Sequence, residues 1–273
     1  MHLDLHLHST CSDGAVPPAA VVAAAARAGL GLIALADHDT AAGLAPARTA
    51  AAAVERAPAI VAGIELTCRR ESAEVHLLGY GFREGDAGLA ALTTAAGRAR
   101  RDRMGEMVAR LQGLGVAIGA DDVAGGEECA AIGRMHLARA LVRLGRVPSI
   151  AEAFGRYLAD GGPAHVPGRG PPVEAAIAVV NAAGGLAVWA HPALDDARHF
   201  PGLAERGLAG VEAYRPALDA PASGALQRAA RAAGLLVTGG SDWHGAPRPA
   251  LGSWYVTERH VGAFLERLGV TAP

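Results

Sequence analysis

Short apolar runs alternate with longer alanine-rich segments along most of the chain. The runs lie at 3–7, 31–36, 59–66, 74–80, 185–190, 208–214 and 235–240, and helical segments such as 17–28, 41–54 and 225–233 separate several of them. Apolar runs of strand length separated by helical segments are typical of an α/β fold. The pattern therefore predicts a parallel sheet or barrel.

This alternation stops between about Phe82 and Val166. There the sequence predicts consecutive helices at 88–113, 134–144 and 149–160, with glycine and proline at the joints. We interpret residues 83–165 as a helical insertion that caps the substrate. Residues 1–82 and 166–273 would then form the main domain.

Two groups of arginines lie in the predicted insertion. They are Arg98, Arg100, Arg101 and Arg103, and then Arg134, Arg139, Arg143 and Arg146. Such a group is either a solvated helix face or a surface that binds anions, and the pattern leaves both interpretations open.

Composition excludes several classes of protein. A formal net charge of −2 over 273 residues argues against a surface that coats long nucleic acid or an anionic membrane. The three cysteines, Cys11, Cys68 and Cys129, form no CxxC pair, which argues against a disulfide framework and a thiolate zinc site. No apolar run approaches the roughly 20 residues of a membrane span, and the N-terminus lacks a signal-peptide pattern. We therefore expect a soluble, cytoplasmic protein, and its oligomeric state stays open.

Two histidines share one face of the first predicted strand. In Leu3-Asp4-Leu5-His6-Leu7-His8 the leucines alternate with polar residues, so His6 and His8 point to the same side. Two imidazoles on one face can bind a metal together. The same alternation also fits a strand that faces solvent.

Nearly every later strand also carries a histidine or a carboxylate, usually at its end. These residues are Asp13 after the first strand, Asp37, His38 and Asp39 after the second, Glu65 after the third, His76 in the fourth, and His191, Asp242 and His244 after later strands. Individually they also fit helix caps or turns. Because the carboxyl ends of parallel barrel strands converge on one rim, their recurrence predicts one shared site.

The chemistry of this set points to divalent metals. Five or six imidazoles with three or four carboxylates and no thiolate suit zinc, manganese or iron(II). More than four ligands imply more than one ion. Clustered metals produce a metal-bound hydroxide near neutral pH and clamp phosphoryl oxygens, so the predicted reaction is hydrolysis.

The motifs resemble those of the PHP (polymerase and histidinol phosphatase) family, in order and nearly from end to end. They are His6-x-His8, Ser9-x-x-Ser12-Asp13-Gly14, Asp37-His38-Asp39, Gly63-Ile64-Glu65, His76-Leu77-Leu78-Gly79-Tyr80, Ala190-His191-Pro192 and Ser241-Asp242-x-His244. The resemblance extends to the bacterial branch of nucleoside 3′,5′-bisphosphate phosphatases and 5′-to-3′ exoribonucleases. That branch has a helical insertion with an element like Gly133-Arg134-Met135-His136.

The resemblance implies a distorted (βα)7 barrel with a helical insertion and a centre of two or three manganese, zinc or iron ions. It implies that His6, His8, Glu65 and Asp242 hold one metal, that Glu65 bridges to a second held by His76 and His191, and that Asp13, His38 and His244 hold the third. It also implies that Asp37 and Asp39 orient imidazoles from outside the metal ligands.

Four further residues are candidates for binding substrate. By resemblance, Arg134 and His136 would bind a second phosphate, and Arg101 is a weaker candidate. Relatives often carry a histidine shortly after the strand 210–214, whereas this chain has Arg215 there. Arg215 either replaces that histidine as a fixed cation for phosphate or signals a different substrate.

The leading hypothesis is a metal-dependent phosphoesterase that acts on a nucleotide or a short oligonucleotide. An amidohydrolase that cleaves a C–N bond is an alternative, because fold does not fix function. A cyclic phosphodiesterase is another, and a non-catalytic nucleotide-binding module is a third. The arginine groups favour a phosphate over a neutral amide.

Overall fold

The computed structural model describes residues 1–124, 131–245 and 249–270, so Cys129 lies outside the described residues. Within these ranges the strands are β1 (His2–Leu7), β2 (Leu32–Leu35), β3 (Ala59–Arg70), β4 (Ala73–Tyr80), β5 (Leu186–Trp189), β6 (Gly210–Tyr214), β7 (Leu236–Gly239) and β8 (Val256–Thr257). They form one sheet in the order β7-β6-β5-β4-β3-β2-β1-β8.

The α-helices within the same ranges are α1 (Pro18–Arg27), α2 (Leu44–Ala51), α3 (Ala87–Gly113), α4 (Ala120–Ala124), α5 (Arg134–Arg143), α6 (Ile150–Ala153), α7 (Val173–Ala182), α8 (Phe200–Ala204), α9 (Ala220–Ala232) and α10 (Glu258–Leu268). A π-helical turn spans Phe154–Leu158, and a 3-10 helix spans Leu194–His199. No helix in the described part is long and apolar enough to span a bilayer.

The sheet curls into a nearly closed barrel, which confirms the predicted α/β barrel. At the seam between its two ends, the His8 amide donates to the Trp243 carbonyl at 3.0 Å. Eight strands take part rather than seven, because the short β8 pairs antiparallel with β1. The prediction of a parallel arrangement is wrong for β4, which runs antiparallel to both β3 and β5. The two residues that join β3 to β4 can make a hairpin, whereas a parallel crossover needs a dozen or more.

The seam between β7 and β1 depends on two residues. A Cβ atom at Gly240 would lie 2.2 Å from the Cβ of His6, so glycine permits this close approach of the backbones. The buried Asp4 Oδ1 accepts hydrogen bonds from the amides of His6 (3.2 Å) and Ser241 (2.9 Å). Asp4 therefore fixes the backbone on both sides of the seam, next to two predicted metal ligands.

The helices between β4 and β5 have their own hydrophobic cluster. It extends from Met104 to Val166 and includes Met107, Leu137, Leu141 and Leu158 at 0% exposure. The start of α3 instead contributes Leu89 to the cluster that covers the barrel strands. The long helix α3 thus connects the two packing units.

Candidate metal centre

Glu65 lies at the centre of the histidine cluster, at the end of the barrel where the first three strands point. Its side chain is 1% exposed. The imidazoles around it are His6, His8 and His38 near Oε2, and His76 and His191 near Oε1, all with a nitrogen 3.0–3.2 Å from the carboxylate. One carboxylate therefore faces five imidazoles.

His76 reaches this end although β4 is antiparallel. It lies in the first half of β4 and pairs in register with Thr67, two residues after Glu65. The reversed strand direction brings the beginning of β4 to the rim where the parallel strands end. The sequence identified His76 as a candidate, but its position at the rim depends on the hairpin of β3 and β4.

Asp13 and His244 extend the cluster on the side of His38. Oδ1 of Asp13 lies 3.1 Å from Nε2 of His244, and its Oδ2 lies 3.9 Å from Nε2 of His38. Asp242 approaches from β7, with Oδ1 3.3 Å from Nε2 of His8. All nine predicted metal ligands thus belong to one cluster.

Within the part of the chain that the structure describes, three overlapping groups have possible ligand atoms within 4.8 Å of one another. They are His6, His8, Glu65 and Asp242; then His38, Glu65 and His76; and then His8, Asp13, His38 and His244. The first equals the predicted ligand set of one metal. The second has His38 where we predicted His191, and the third adds His8. The assignment of ligands to individual metals stays a prediction.

Several ligand atoms have no hydrogen-bond partner within the described ranges. They include His6 Nε2, His8 Nε2, His38 Nδ1, Asp13 Oδ1 and Glu65 Oε2. These atoms are buried and lie close together, yet their angles do not suit hydrogen bonds to one another. Buried polar atoms without partners are costly. A shared divalent cation would satisfy all of them, so the donor set fits metal ions.

The backbone is strained at two of these positions. His191 and Asp242 have φ values of +35° and +52°, a region that non-glycine residues rarely adopt. Such strain persists where the surrounding structure enforces it, and it clusters at functional sites. Both residues are predicted metal ligands.

Comparisons with known proteins agree with this site. The family model of the PHP domain matches residues 4–113. A 5′-3′ exoribonuclease of Haemophilus influenzae is 36% identical over 192 residues, which cover 69% of this chain and 68% of that protein. A 3′,5′-nucleoside bisphosphate phosphatase of Chromobacterium violaceum is 37% identical over 193 residues, 70% of this chain and 67% of the relative. The chain belongs to the PHP domain family.

Other relatives cover the PHP chain more fully. A phosphoribosyl 1,2-cyclic phosphate 1,2-diphosphodiesterase of Eggerthella lenta is 33% identical over 89% of this chain and 94% of its own. A solved structure from Bifidobacterium adolescentis, assigned by inference as a metal-dependent phosphoesterase, has a TM-score of 0.88 at 32% identity and covers 97% of this chain and 96% of its own. An amidohydrolase of Chromobacterium violaceum with bound sulfate and no metal has a TM-score of 0.84 at 31% identity over 90% of this chain and 89% of its own. The relatives are hydrolases, and the prediction of a PHP phosphoesterase is confirmed at the level of the family.

Glu212 is a supporting residue of the PHP site that the sequence analysis missed. It is fully buried, its Oε1 lies 3.0 Å from Nδ1 of His6, and its Oε2 accepts a hydrogen bond from the His191 amide at 2.9 Å. A carboxylate on the far nitrogen orients a metal-binding imidazole. The sequence signal for Glu212 was a single acidic residue in the otherwise apolar run 208–214.

Among the described residues, Asp37 and Asp39 hydrogen-bond to the surrounding loop, β3 and α3 rather than to an imidazole, and their role in orienting imidazoles stays a prediction. Asp37 accepts hydrogen bonds from the Ser9 amide and from the hydroxyls of Ser9 and Ser12, at 2.6–2.7 Å. It therefore holds the loop that carries Asp13. Both aspartates follow β2. The hydrogen-bond donors of the loop after β1 and of β3 lie closer to their carboxylates than the imidazole rings do.

Asp39 instead connects β3 with helix α3. Its Oδ1 accepts from the Thr67 amide at 2.8 Å, and its Oδ2 accepts from Nε of Arg100 at 2.6 Å. Arg100 also donates to the Thr67 hydroxyl at 2.7 Å and to the Ile132 carbonyl at 3.3 Å. The Arg100 guanidinium therefore links the loop after β2 and strand β3, which both carry predicted metal ligands, to the residues just before α5.

The predicted substrate-binding residues lie around the site rather than together in it. Arg134 pairs with Asp160 at 2.5 Å, and Arg101 is exposed on α3. His136 accepts a hydrogen bond from the Gly133 amide at 3.1 Å. Arg215 donates to the Pro192 carbonyl at 3.0 Å and so braces the loop after His191. Their roles toward substrate stay predictions.

A cavity of about 630 Å³ opens over the metal ligands. One wall consists of ligands that include His38, Glu65 and His191. The opposite wall comes from the helices between β4 and β5, through Met135, Arg139, Ile150 and Ala151. A ligand of nucleotide size would contact both walls.

Among the described residues, three histidines of the PHP site, His6, His8 and His76, favour the protonated form when no metal is bound. Burial opposes the charge of His6, but the Glu65 and Glu212 carboxylates raise its pKa well above its usual value. Burial disfavours the charge of His8, but the neighbouring carboxylates of Asp242 and Glu65 outweigh burial and raise its pKa to about 9. Burial likewise opposes the charge of His76, and the Glu65 carboxylate raises its pKa to about 10. A metal must displace these protons before it binds.

We therefore expect apparent metal affinity to rise steadily with pH between pH 6 and pH 8. The pKa values of His8 and His76 lie above this range, so protons compete throughout it, and each step toward higher pH weakens that competition. Titration calorimetry with Mn²⁺ in buffers of different ionisation enthalpy measures affinity and released protons together. Affinity that stays constant above pH 7 without proton release would contradict the expectation.

Proposed function

We propose that this PHP domain hydrolyses a phosphate ester of a nucleotide, such as a nucleoside 3′,5′-bisphosphate, or of a short oligonucleotide. The observation that carries the proposal is Glu65, a buried carboxylate among five imidazoles, three of which have a ring nitrogen without a hydrogen-bond partner in the described chain. The relatives named as exoribonuclease and bisphosphate phosphatase support this substrate class. The free thiol of Cys68 is compatible with the cytoplasmic location that we also propose.

In this proposal two or three ions of manganese, zinc or iron occupy the cluster. His6, His8, Glu65 and Asp242 would hold one, Glu65, His76 and His191 a second, and Asp13, His38 and His244 a third. When bound, such ions supply a water of lowered pKa and neutralise phosphoryl oxygens. Glu212 orients His6, and Asp37 holds the loop of Asp13 in place.

The helices of residues 83–165 would act as a cap over the substrate. Their separate hydrophobic cluster and the wall formed by Met135 and Ile150 support this role. The cap would exclude water from the cavity and select substrates by shape. A substrate held between metals and cap would be a small molecule or the end of a short strand.

A second candidate function is hydrolysis of a cyclic phosphodiester. It is favoured by the Eggerthella lenta relative, which aligns over 89% of this chain. Amidohydrolase chemistry has one observation in its favour, the name of a structural relative, although that relative binds sulfate, an anion of phosphate shape. One panel of substrates can distinguish hydrolysis of a nucleotide phosphate ester, of a cyclic phosphodiester and of a C–N bond.

We expect the purified protein with Mn²⁺ to release phosphate from adenosine 3′,5′-bisphosphate or a 5′-phosphorylated RNA dinucleotide faster than from histidinol phosphate or a cyclic phosphodiester. The variant Asp13→Asn keeps the side-chain shape but removes the charge. It should lower kcat/KM by about a hundredfold or more, a typical cost of disturbing a metal site.

Three results would contradict the proposal. Full activity of Asp13→Asn would place the chemistry elsewhere. With metal confirmed bound, nucleotide binding without phosphate release would favour a binding module, and cleavage of a C–N bond would favour an amidohydrolase.

A further inference from the structure

Glu74 lies two residues before His76 on β4, so both side chains point to the same face of the strand. Nδ1 of His76 faces the metal cluster, 3.0 Å from Oε1 of Glu65. The other ring nitrogen, Nε2, lies 3.8 Å from Oε1 of Glu74, which is an ion-pair distance rather than a hydrogen bond. The His76 ring therefore lies between two carboxylates, one inside the cluster and one outside it.

Arg103 of helix α3 holds the Glu74 carboxylate on its outer side. Nη1 of Arg103 donates to Oε2 of Glu74 at 3.2 Å, and Nε of Arg103 donates to the Val166 carbonyl at 2.7 Å. The Arg103 side chain is 12% exposed, so the guanidinium is largely shielded from water. Because the guanidinium binds Oε2, the second oxygen of Glu74 is the one that faces His76.

Gly168 leaves the space that the Glu74 carboxylate occupies. A Cβ atom at residue 168 would lie 2.0 Å from Oε2 and 3.0 Å from Cδ of Glu74. The φ angle of Gly168 lies outside the left-handed region, so the backbone itself does not require glycine. An alanine at this position would therefore displace the Glu74 carboxylate without changing its charge.

The outer nitrogen of a metal-binding imidazole decides how the ring is held. A neutral imidazole that binds a metal through Nδ1 carries its proton on Nε2. A carboxylate beside that proton fixes the tautomer, orients the ring and makes the metal-binding nitrogen more basic. Glu212 has this relation to His6, since it faces Nδ1 while Nε2 points to the cluster. Glu74 has the matching relation to His76.

We propose that Glu74 is a positioning residue that holds the His76 ring with Nδ1 toward the metals, and that Arg103 in turn holds Glu74. The inference rests on the proposed function, because it needs His76 to be a metal ligand. It adds a residue that lies outside the nine predicted ligands and connects helix α3 to the metal cluster.

The first test measures Mn²⁺ affinity by competition with a chelator, which requires no substrate. We expect Glu74→Gln to weaken Mn²⁺ binding by about tenfold, a typical cost of losing a partner of a metal-binding histidine. In the Zn²⁺-loaded protein, the NMR signal of the His76 Nε2–H group should shift in the same variant. Glu71→Gln, in the exposed turn of the same hairpin, is the matched control and should leave both measurements unchanged.

The second test uses Gly168→Ala in two backgrounds. In the wild type it should weaken Mn²⁺ binding, because it displaces the Glu74 carboxylate. In Glu74→Ala it should have no further effect, because the carboxylate that it would displace is gone. Gly105→Ala, where a Cβ atom meets nothing within 4 Å, is the control for the glycine substitution.

Wild-type Mn²⁺ affinity and an unchanged His76 signal in Glu74→Gln would overturn the inference. Equal effects of Gly168→Ala in both backgrounds would overturn it as well. If the wild type binds Mn²⁺ but hydrolyses no phosphate ester, the proposed function fails, while the role of Glu74 is still decided by the binding and NMR measurements.

Discussion

Replacing Glu65 with glutamine is expected to lower phosphate-ester hydrolysis by about a thousandfold or more and to reduce the bound metal. Glu65 presents one oxygen to His6, His8 and His38 and the other to His76 and His191. The amide keeps the shape, but it removes the charge and turns one ligand atom into a donor. A thousandfold slower reaction corresponds to a loss of several kcal/mol of the stabilisation that the metals give to the transition state.

Metal analysis by mass spectrometry and phosphate release with excess Mn²⁺ together test this expectation. Circular dichroism establishes that the variant is folded. Glu55→Gln, on an exposed surface, is the control and should match the wild type in both assays. A fully active Glu65→Gln with normal metal content would show that Glu65 does not bridge the metals.

Arg100→Met is expected to lower the free energy of unfolding by about 3–5 kcal/mol, because it leaves a buried carboxylate without its cation. The Asp39 side chain is 2% exposed and pairs with Nε of Arg100 at 2.6 Å. The substitution also removes the contacts to Thr67 and to the Ile132 carbonyl. The segments that carry His38 and Glu65 should loosen from α3 as a result.

Urea unfolding of the metal-free protein measures this change without a contribution from metal binding. Arg98→Met, exposed on the same helix, should stay within about 0.5 kcal/mol of the wild type. The double variant Arg100→Met with Asp39→Asn should recover part of the loss, since the unpaired charge is gone. If Arg98→Met and Arg100→Met unfold alike, the buried pair does not stabilise the junction.

The residues of the cluster could be located from the sequence because strands appear as apolar runs and most of these residues follow such a run. His6 and Asp242 lie at or just beyond the ends of β1 and β7. Glu65 was predicted to follow the third strand but lies within the longer β3, three residues beyond its parallel pairing with β2. His76 was identified by its place in a strand. Its position at the rim required the hairpin of β3 and β4, which periodicity does not distinguish from a parallel pair.

Other features depend on contacts that a linear pattern cannot contain. The rotation of α5 decides that Arg139 rather than Arg134 lines the cavity, and that rotation comes from packing among the helices between β4 and β5. The partner of Asp39 lies 61 residues away on α3. Glu212 is visible in the sequence as a charged residue inside an apolar strand. Its role becomes evident in the structure, where its carboxylate lies beside the His6 ring.

The ligands of the cluster extend over almost the whole chain, from His6 to His244. Because these residues are far apart in the sequence, they come together only when the barrel closes along the seam between β1 and β7. A fragment that ends before residue 242 would lack both Asp242 and His244, so its metal binding would report on closure of the barrel.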